Sequence, residues 1–165
     1  MEEENDFFAD FDPFAEPDAV ESDVVEESPG HYRQEKDFVS LAAWQRCRDL
    51  RIFFYEEVLP KLPKEETYAL GTQIRRAAQS TTLNIAEGYG RFHYQEAIQF
   101  YRISRGSIYE LKDALIIAWD LKVVERKQVE EGKILIEKAK IALNGYIAYV
   151  QNRQEQSKKS KGKNP

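Results

Sequence analysis

Val129, Ile136, Leu143 and Val150 recur at intervals of seven, with Leu135, Ala139 and Ile147 beside them on a helical projection. An α-helix makes a turn every 3.6 residues, so this series forms one apolar face that needs partners to cover it. Three earlier runs carry the same signal. Residues 40–59 place Leu41, Trp44, Cys47, Leu50, Phe54 and Val58 three or four apart, with Ser40 as the expected cap and Pro60 as the stop. Pro63 suits a first helical position and Glu65 and Glu66 a first turn. The second helix then carries Leu70, Ile74, Ala77, Ala78, Thr81 and Ile85 until Gly88 and Gly90 close it. The third spans residues 94–121, with Ile98, Tyr101, Ile108, Leu111, Leu115 and Ala118, and the fourth spans residues 126–151. Four such helices with short connections predict an all-α fold, an antiparallel up-and-down four-helix bundle.

The charges divide the chain. Residues 1–37 hold 14 acids and 2 bases, a balance of −12, whereas residues 38–165 hold 22 bases and 15 acids, a balance of +7. We therefore read 1–37 as a disordered acidic tail, 38–151 as the bundle, and 152–165, with Arg153, Lys158, Lys159, Lys161 and Lys163, as a disordered basic tail. Within the acidic tail Phe7, Phe8, Phe11 and Phe14 alternate with Asp6, Asp10 and Asp12. That pattern suits docking on a basic groove with apolar pockets, and the alternative is a solvated tail. Tethered to a basic body, the tail is expected to compete with phosphate for the body's arginines. A single cysteine excludes an internal disulfide framework. With no signal peptide and no long apolar run, the chain reads as soluble and cytoplasmic.

Catalytic chemistry finds little support. A di-metal bundle site needs Glu-x-x-His motifs on two helices, but the two histidines are His31, in the acidic tail, and His93, in a loop. Cys47 shares its stripe with Trp44 and Leu50, where a thiol is buried and inert. Gly88 and Gly90 before Arg91 lack the strand and the Gly-Lys ending of a phosphate loop, so they read as helix terminators. Glu87, Glu110 and Asp113 as a carboxylate site is the weaker reading. Asn84, Glu87, Ser107 and Glu110 are instead expected to form a structural polar cluster, because buried polar groups must satisfy one another. Gly106 and Ser107 are expected to permit close helix approach. No cofactor or metal is expected, and no membrane partner.

Arg46, Arg48 and Arg51 on helix one, Arg75 and Arg76 on helix two, Arg91 in the following loop, and Arg102 and Arg105 on helix three are the candidates for phosphate contact. Phe53, Tyr68, Tyr89, Phe100 and Tyr109 exceed what one slender interior holds, so some are expected to face a neighbouring subunit.

The run Ile74-Arg75-Arg76-Ala77-Ala78-Gln79-Ser80, the block Asn84-Ile85-Ala86-Glu87-Gly88, and Tyr101-Arg102-Ile103-Ser104-Arg105-Gly106-Ser107 with Glu110-Leu111 together resemble the four-helix bundle proteins encoded in intervening sequences of bacterial large-subunit ribosomal RNA genes. Trp44, Leu50 and Pro63-Lys64-Glu65-Glu66 agree with the first two helices of that family, and the resemblance covers residues 38–150. It implies a homopentameric barrel with a central channel. It also implies a relation to the accessory variability proteins of diversity-generating retroelements, which bind a reverse transcriptase and nucleic acid, and it implies no catalytic residue. The acidic tail lies outside the family pattern. The expectation is a non-enzymatic homo-oligomeric accessory protein that binds RNA, DNA or a nucleic-acid enzyme such as a reverse transcriptase. The alternative is a protein–protein scaffold that binds no nucleic acid.

Overall fold

A computed structural model describes residues 37–161. Among them all regular structure is helical: α1 (Ala42–Phe53), α2 (Lys64–Thr67), α3 (Leu70–Tyr89), α4 (Tyr94–Asp120) and α5 (Arg126–Lys161). The entry to α1 differs from expectation. Asp37 Oδ1 accepts from the Phe38 amide at 2.7 Å and starts a 3-10 turn over Phe38–Ser40. The Ser40 hydroxyl donates back to the Asp37 carbonyl at 2.7 Å, so it serves that turn, and extended Leu41 takes the cap position of α1. Beyond Phe53 the helix widens into a π-helical segment, Phe54–Val58, then tightens into a 3-10 turn, Leu59–Lys61, around Pro60.

The second predicted helix is broken in two. Ala69 leaves helical geometry with ψ of −92°, which separates the single turn of α2 from α3. The groups freed by the break find side chains. Glu66 accepts from the Leu70 amide at 3.4 Å, and the Arg75 guanidinium donates to the Thr67 carbonyl at 3.3 Å.

The four long helices close a ring in which α3 packs on α4, α4 on α5, α5 on α1 and α1 on α3. Cys47, Leu50, Phe54 and Val58 meet Ile74, Ala78, Ile85, Ile108, Leu111, Ala118, Val129, Ile136, Ala139 and Leu143 in one buried core. Val150 extends the core along α5, as the heptad spacing requires. Phe53, one of the five aromatics of which some are expected to face a neighbouring subunit, is buried within its own chain. Its ring sits where a β-carbon on Gly132 would be, 2.9 Å away, and edge-on to Phe54.

Three further expectations are corrected. Gly88 does not end its helix: it lies inside α3 and is buried against α4. No other helix of this chain approaches Gly106, because nothing among the described residues lies within 4 Å of where its β-carbon would be. The basic residues from Asn152 onward are not a tail from 152. Helix α5 runs to Lys161, because residues 146–161 contain neither glycine nor proline and are rich in Gln, Lys and Arg, all good helix formers.

Candidate functional site

The polar residues singled out on α3 and α4 separate into two groups. Asn84 Nδ2 donates to the Ser80 carbonyl at 2.9 Å and to Ser80 Oγ at 2.8 Å, and Ser107 Oγ donates to Ser80 Oγ at 2.7 Å. Ser80, which the spacing did not single out, is therefore the hub that joins Asn84 to Ser107. Glu87 and Glu110 stand apart from it. Both are exposed, and Glu87 forms an ion pair with Arg91 one turn away. Asp113 is exposed as well, and no group of three or more His, Cys, Asp or Glu side chains among the described residues is placed to hold a metal ion.

Deeper in the same α3–α4 seam, Ser104 Oγ donates to the Thr81 carbonyl at 2.6 Å. Cys47 lies beside Ser104, fully buried; burial pushes its thiol up to about 12, and the hydrogen bond with Ser104 offsets only part of that rise. A thiol held neutral at physiological pH is a poor nucleophile, which agrees with a core role. Arg51 turns inward to Thr82 Oγ1 at 2.8 Å. Every buried side-chain nitrogen and oxygen among the described residues has a partner. The seam is structural mortar: small hydroxyl residues let α3 and α4 approach closely while satisfying the backbone.

A different region carries the geometry of a site. The loop after α3, the first two turns of α4 and the last turns of α5 enclose an open cleft of about 900 Å³. Arg91, His93, Arg102 and Lys158 line it with the amides of Gln95, Gln99, Gln151 and Gln154, and Glu96 is the acidic lining residue. Arg91 lies over the Phe100 ring at 4.7 Å from its centroid. Its ion pair with Glu87 is half exposed, a weak restraint that a phosphate can displace. Between the lining residues Arg91 and His93 in sequence, Phe92 is 93 % exposed and edge-on to His93, and Tyr89 and Tyr94 of the same stretch are exposed.

Of the eight arginines named from the sequence, Arg91 and Arg102 line this cleft. The others lie outside its lining. Arg46 pairs with Asp49 at 3.4 Å, Arg51 and Arg75 bond inward, and Arg105 donates to Asn144 Oδ1 at 3.4 Å. Arg48 and Arg76 are exposed away from the cleft lining. Sequence reading missed Phe92 and the four glutamines, and placed Lys158 in a tail. The signal was present in Arg91-Phe92-His93-Tyr94, where base and aromatic alternate in a short loop. Phe7, Phe8, Phe11, Phe14 and His31 lie outside the described residues.

A second surface feature is apolar. Ile103 and Ile117 on α4 and Ile134 and Ile141 on α5 are exposed, in line with open Gly106 and Gly145 respectively. Leu83 on α3 is 62 % exposed. No helix among the described residues is long and apolar enough to cross a membrane. A family model described as 23S rRNA-intervening sequence protein matches residues 39–145. No curated protein matches the chain.

Proposed function

The chain belongs to the 23S rRNA-intervening sequence protein family, and from that premise we propose that it is a non-enzymatic, homo-oligomeric accessory protein that binds single-stranded nucleic acid at the Arg91–Lys158 cleft. The cleft itself carries the reading: three cations, a histidine and hydrogen-bonding amides in a concave site, with exposed Phe92 edge-on to the lining His93. Phosphate contacts supply affinity and aromatic stacking supplies preference for unpaired bases. The cytoplasm is the compartment in which such a partner is met.

The oligomer is a homopentamer closed around a channel. Its support is the exposed isoleucines of α4 and α5, two on each helix near an open glycine, which a second copy can cover. Native mass spectrometry at micromolar concentration checks it: five copies are expected, and a monomer alone contradicts it.

Nucleic-acid binding is tested by fluorescence anisotropy of a short single-stranded RNA and of a DNA duplex across a salt series. The proposal expects tighter binding of the single strand and affinity that falls steeply with salt. Absence of any salt-dependent binding moves the weight to the second reading, a structural or regulatory protein–protein scaffold that binds no nucleic acid directly. Leu83, exposed on α3 away from the isoleucines of α4 and α5, favours that reading, since it suits a protein partner better than a polyanion.

A further inference from the structure

The chain enters its bundle beside the cleft. The Phe38 ring lies edge-on to Trp44 with centroids 5.6 Å apart and edge-on to Tyr89 at 6.5 Å. Tyr89 ends α3, two positions before Arg91. Residues 1–36 are thus tethered at the same end of the molecule as Arg91, Arg102 and Lys158.

The two are complementary in charge and in apolar character. Residues 1–36 hold 13 acids against 2 bases, and the cleft is lined by three cations against Glu96. Charge alone would give a diffuse association, screened within about 8 Å at physiological salt. The four phenylalanines at positions 7, 8, 11 and 14 add anchoring area, and Phe92 offers an uncovered aromatic face beside the lining His93. Residues 15–36 connect that segment to Asp37, and an extended chain covers about 3.4 Å per residue, so reach is not limiting. A tether of this length holds the segment at an effective concentration on the order of millimolar.

We propose that the acidic, phenylalanine-bearing segment of residues 1–36 docks in the Arg91–Lys158 cleft of its own chain and is displaced when a polyanion binds there. This rests on the reading of the cleft as a polyanion site. The segment acts as a built-in competitor: its aspartates and glutamates stand where phosphates would, and its phenylalanines stand where bases would stack.

The test is zero-length carbodiimide cross-linking of the full chain, which joins lysine amines to carboxylates only where they touch. Lys158 is expected to couple to carboxylates within residues 2–16 about tenfold more than Lys64 or Lys127 do, and the product is expected to vanish at about 0.5 M salt. Replacing Phe7, Phe8, Phe11 and Phe14 with Ser removes no carboxylate, and it is expected to reduce the Lys158 product severalfold. The same variant is expected to bind single-stranded RNA roughly threefold to tenfold more tightly than wild type, as removal of a tethered competitor requires. An equal mixture of isotope-labelled and unlabelled chains should give cross-links of unmixed label. Mixed labels in statistical proportion would overturn docking within one chain, and even coupling to all three lysines would overturn docking at the cleft. A specific Lys158 product in a chain that binds no RNA would leave the docking standing and remove the nucleic-acid reading. RNA binding with no such product would do the reverse.

Discussion

A β-carbon placed on Gly88 would lie 2.5 Å from the edge of the Tyr101 ring, so α3 and α4 meet here only because residue 88 has no side chain. Tyr101 is 2 % exposed and its ring packs against Tyr146 of α5 at 5.1 Å between centroids. The glycine thereby fixes a three-helix junction below the cleft. Gly88→Ala is expected to cost about 1 to 3 kcal/mol in a urea melt, because the ring is held on both sides and cannot yield. Gly106→Ala, where nothing lies nearby, is expected to be neutral or to stabilise the isolated bundle by up to about 1 kcal/mol through helix propensity. Equal effects at the two positions would contradict the packing described.

Ser80 accepts from both Asn84 and Ser107, so removing either of them takes a donor from a partly buried Ser80 and puts an apolar side chain into a packed polar seam. Asn84→Leu and Ser107→Leu are each expected to destabilise the bundle by about 1 to 3 kcal/mol while leaving RNA affinity of the folded protein unchanged. Variants that melt like wild type but lose binding would make the cluster a functional site.

The raised pKa of Cys47 links stability to pH. The folded state keeps its thiol proton up to about 12, whereas the unfolded chain loses it near 9. The folded state therefore binds more protons between these values, so stability is complete below pH 9 and falls as pH rises towards 12. Cys47→Ala is expected to remove part of that alkaline loss in urea melts at graded pH. Iodoacetamide at pH 8.5 is expected to modify Cys47 only in denaturant.

Lys122 has a φ of +57°, the left-handed conformation that closes α4, with its amide donating to the Trp119 carbonyl at 2.8 Å and the Val123 amide to Ala118 at 3.1 Å. This is the hydrogen-bond pattern that normally places glycine at such a position. Lys122→Gly is expected to raise the melting midpoint slightly, by about 0.5 to 1 kcal/mol of stability, and a loss would contradict the turn.

The helices were legible from the sequence because burial imposes their period. Cys47, Leu50, Ile74, Ile108, Val129 and Leu143 are core residues on the stripes where spacing put them. What escaped was set by tertiary packing. Phe53 became core because Gly132, far away in sequence, leaves it room, and Gly88 served α4 rather than the end of its own helix. The α2–α3 break carries no glycine or proline between Thr67 and Leu70, so nothing local announces it. The cleft needed two facts that periodicity does not supply. One is that α5 continues to Lys161, and the other is that Lys158 returns to the loop holding Arg91. Without them, eight arginines read as equal candidates when the fold gathers two.

If this cleft, and not basic charge in general, holds nucleic acid, substitutions inside and outside it must differ in effect. The direct measurement is the affinity of full-length protein for a single-stranded RNA, at fixed moderate salt, for Arg102→Gln/Lys158→Gln and for a control pair, Lys64→Gln/Lys127→Gln. The control removes the same charge from exposed positions outside the cleft lining. The cleft pair is expected to weaken binding about tenfold or more and to lower the salt slope by about two, with Phe92→Ala weakening it further by about 1 to 3 kcal/mol, while the control pair is expected to have little effect. Equal losses from both pairs, or no loss from either, would contradict it.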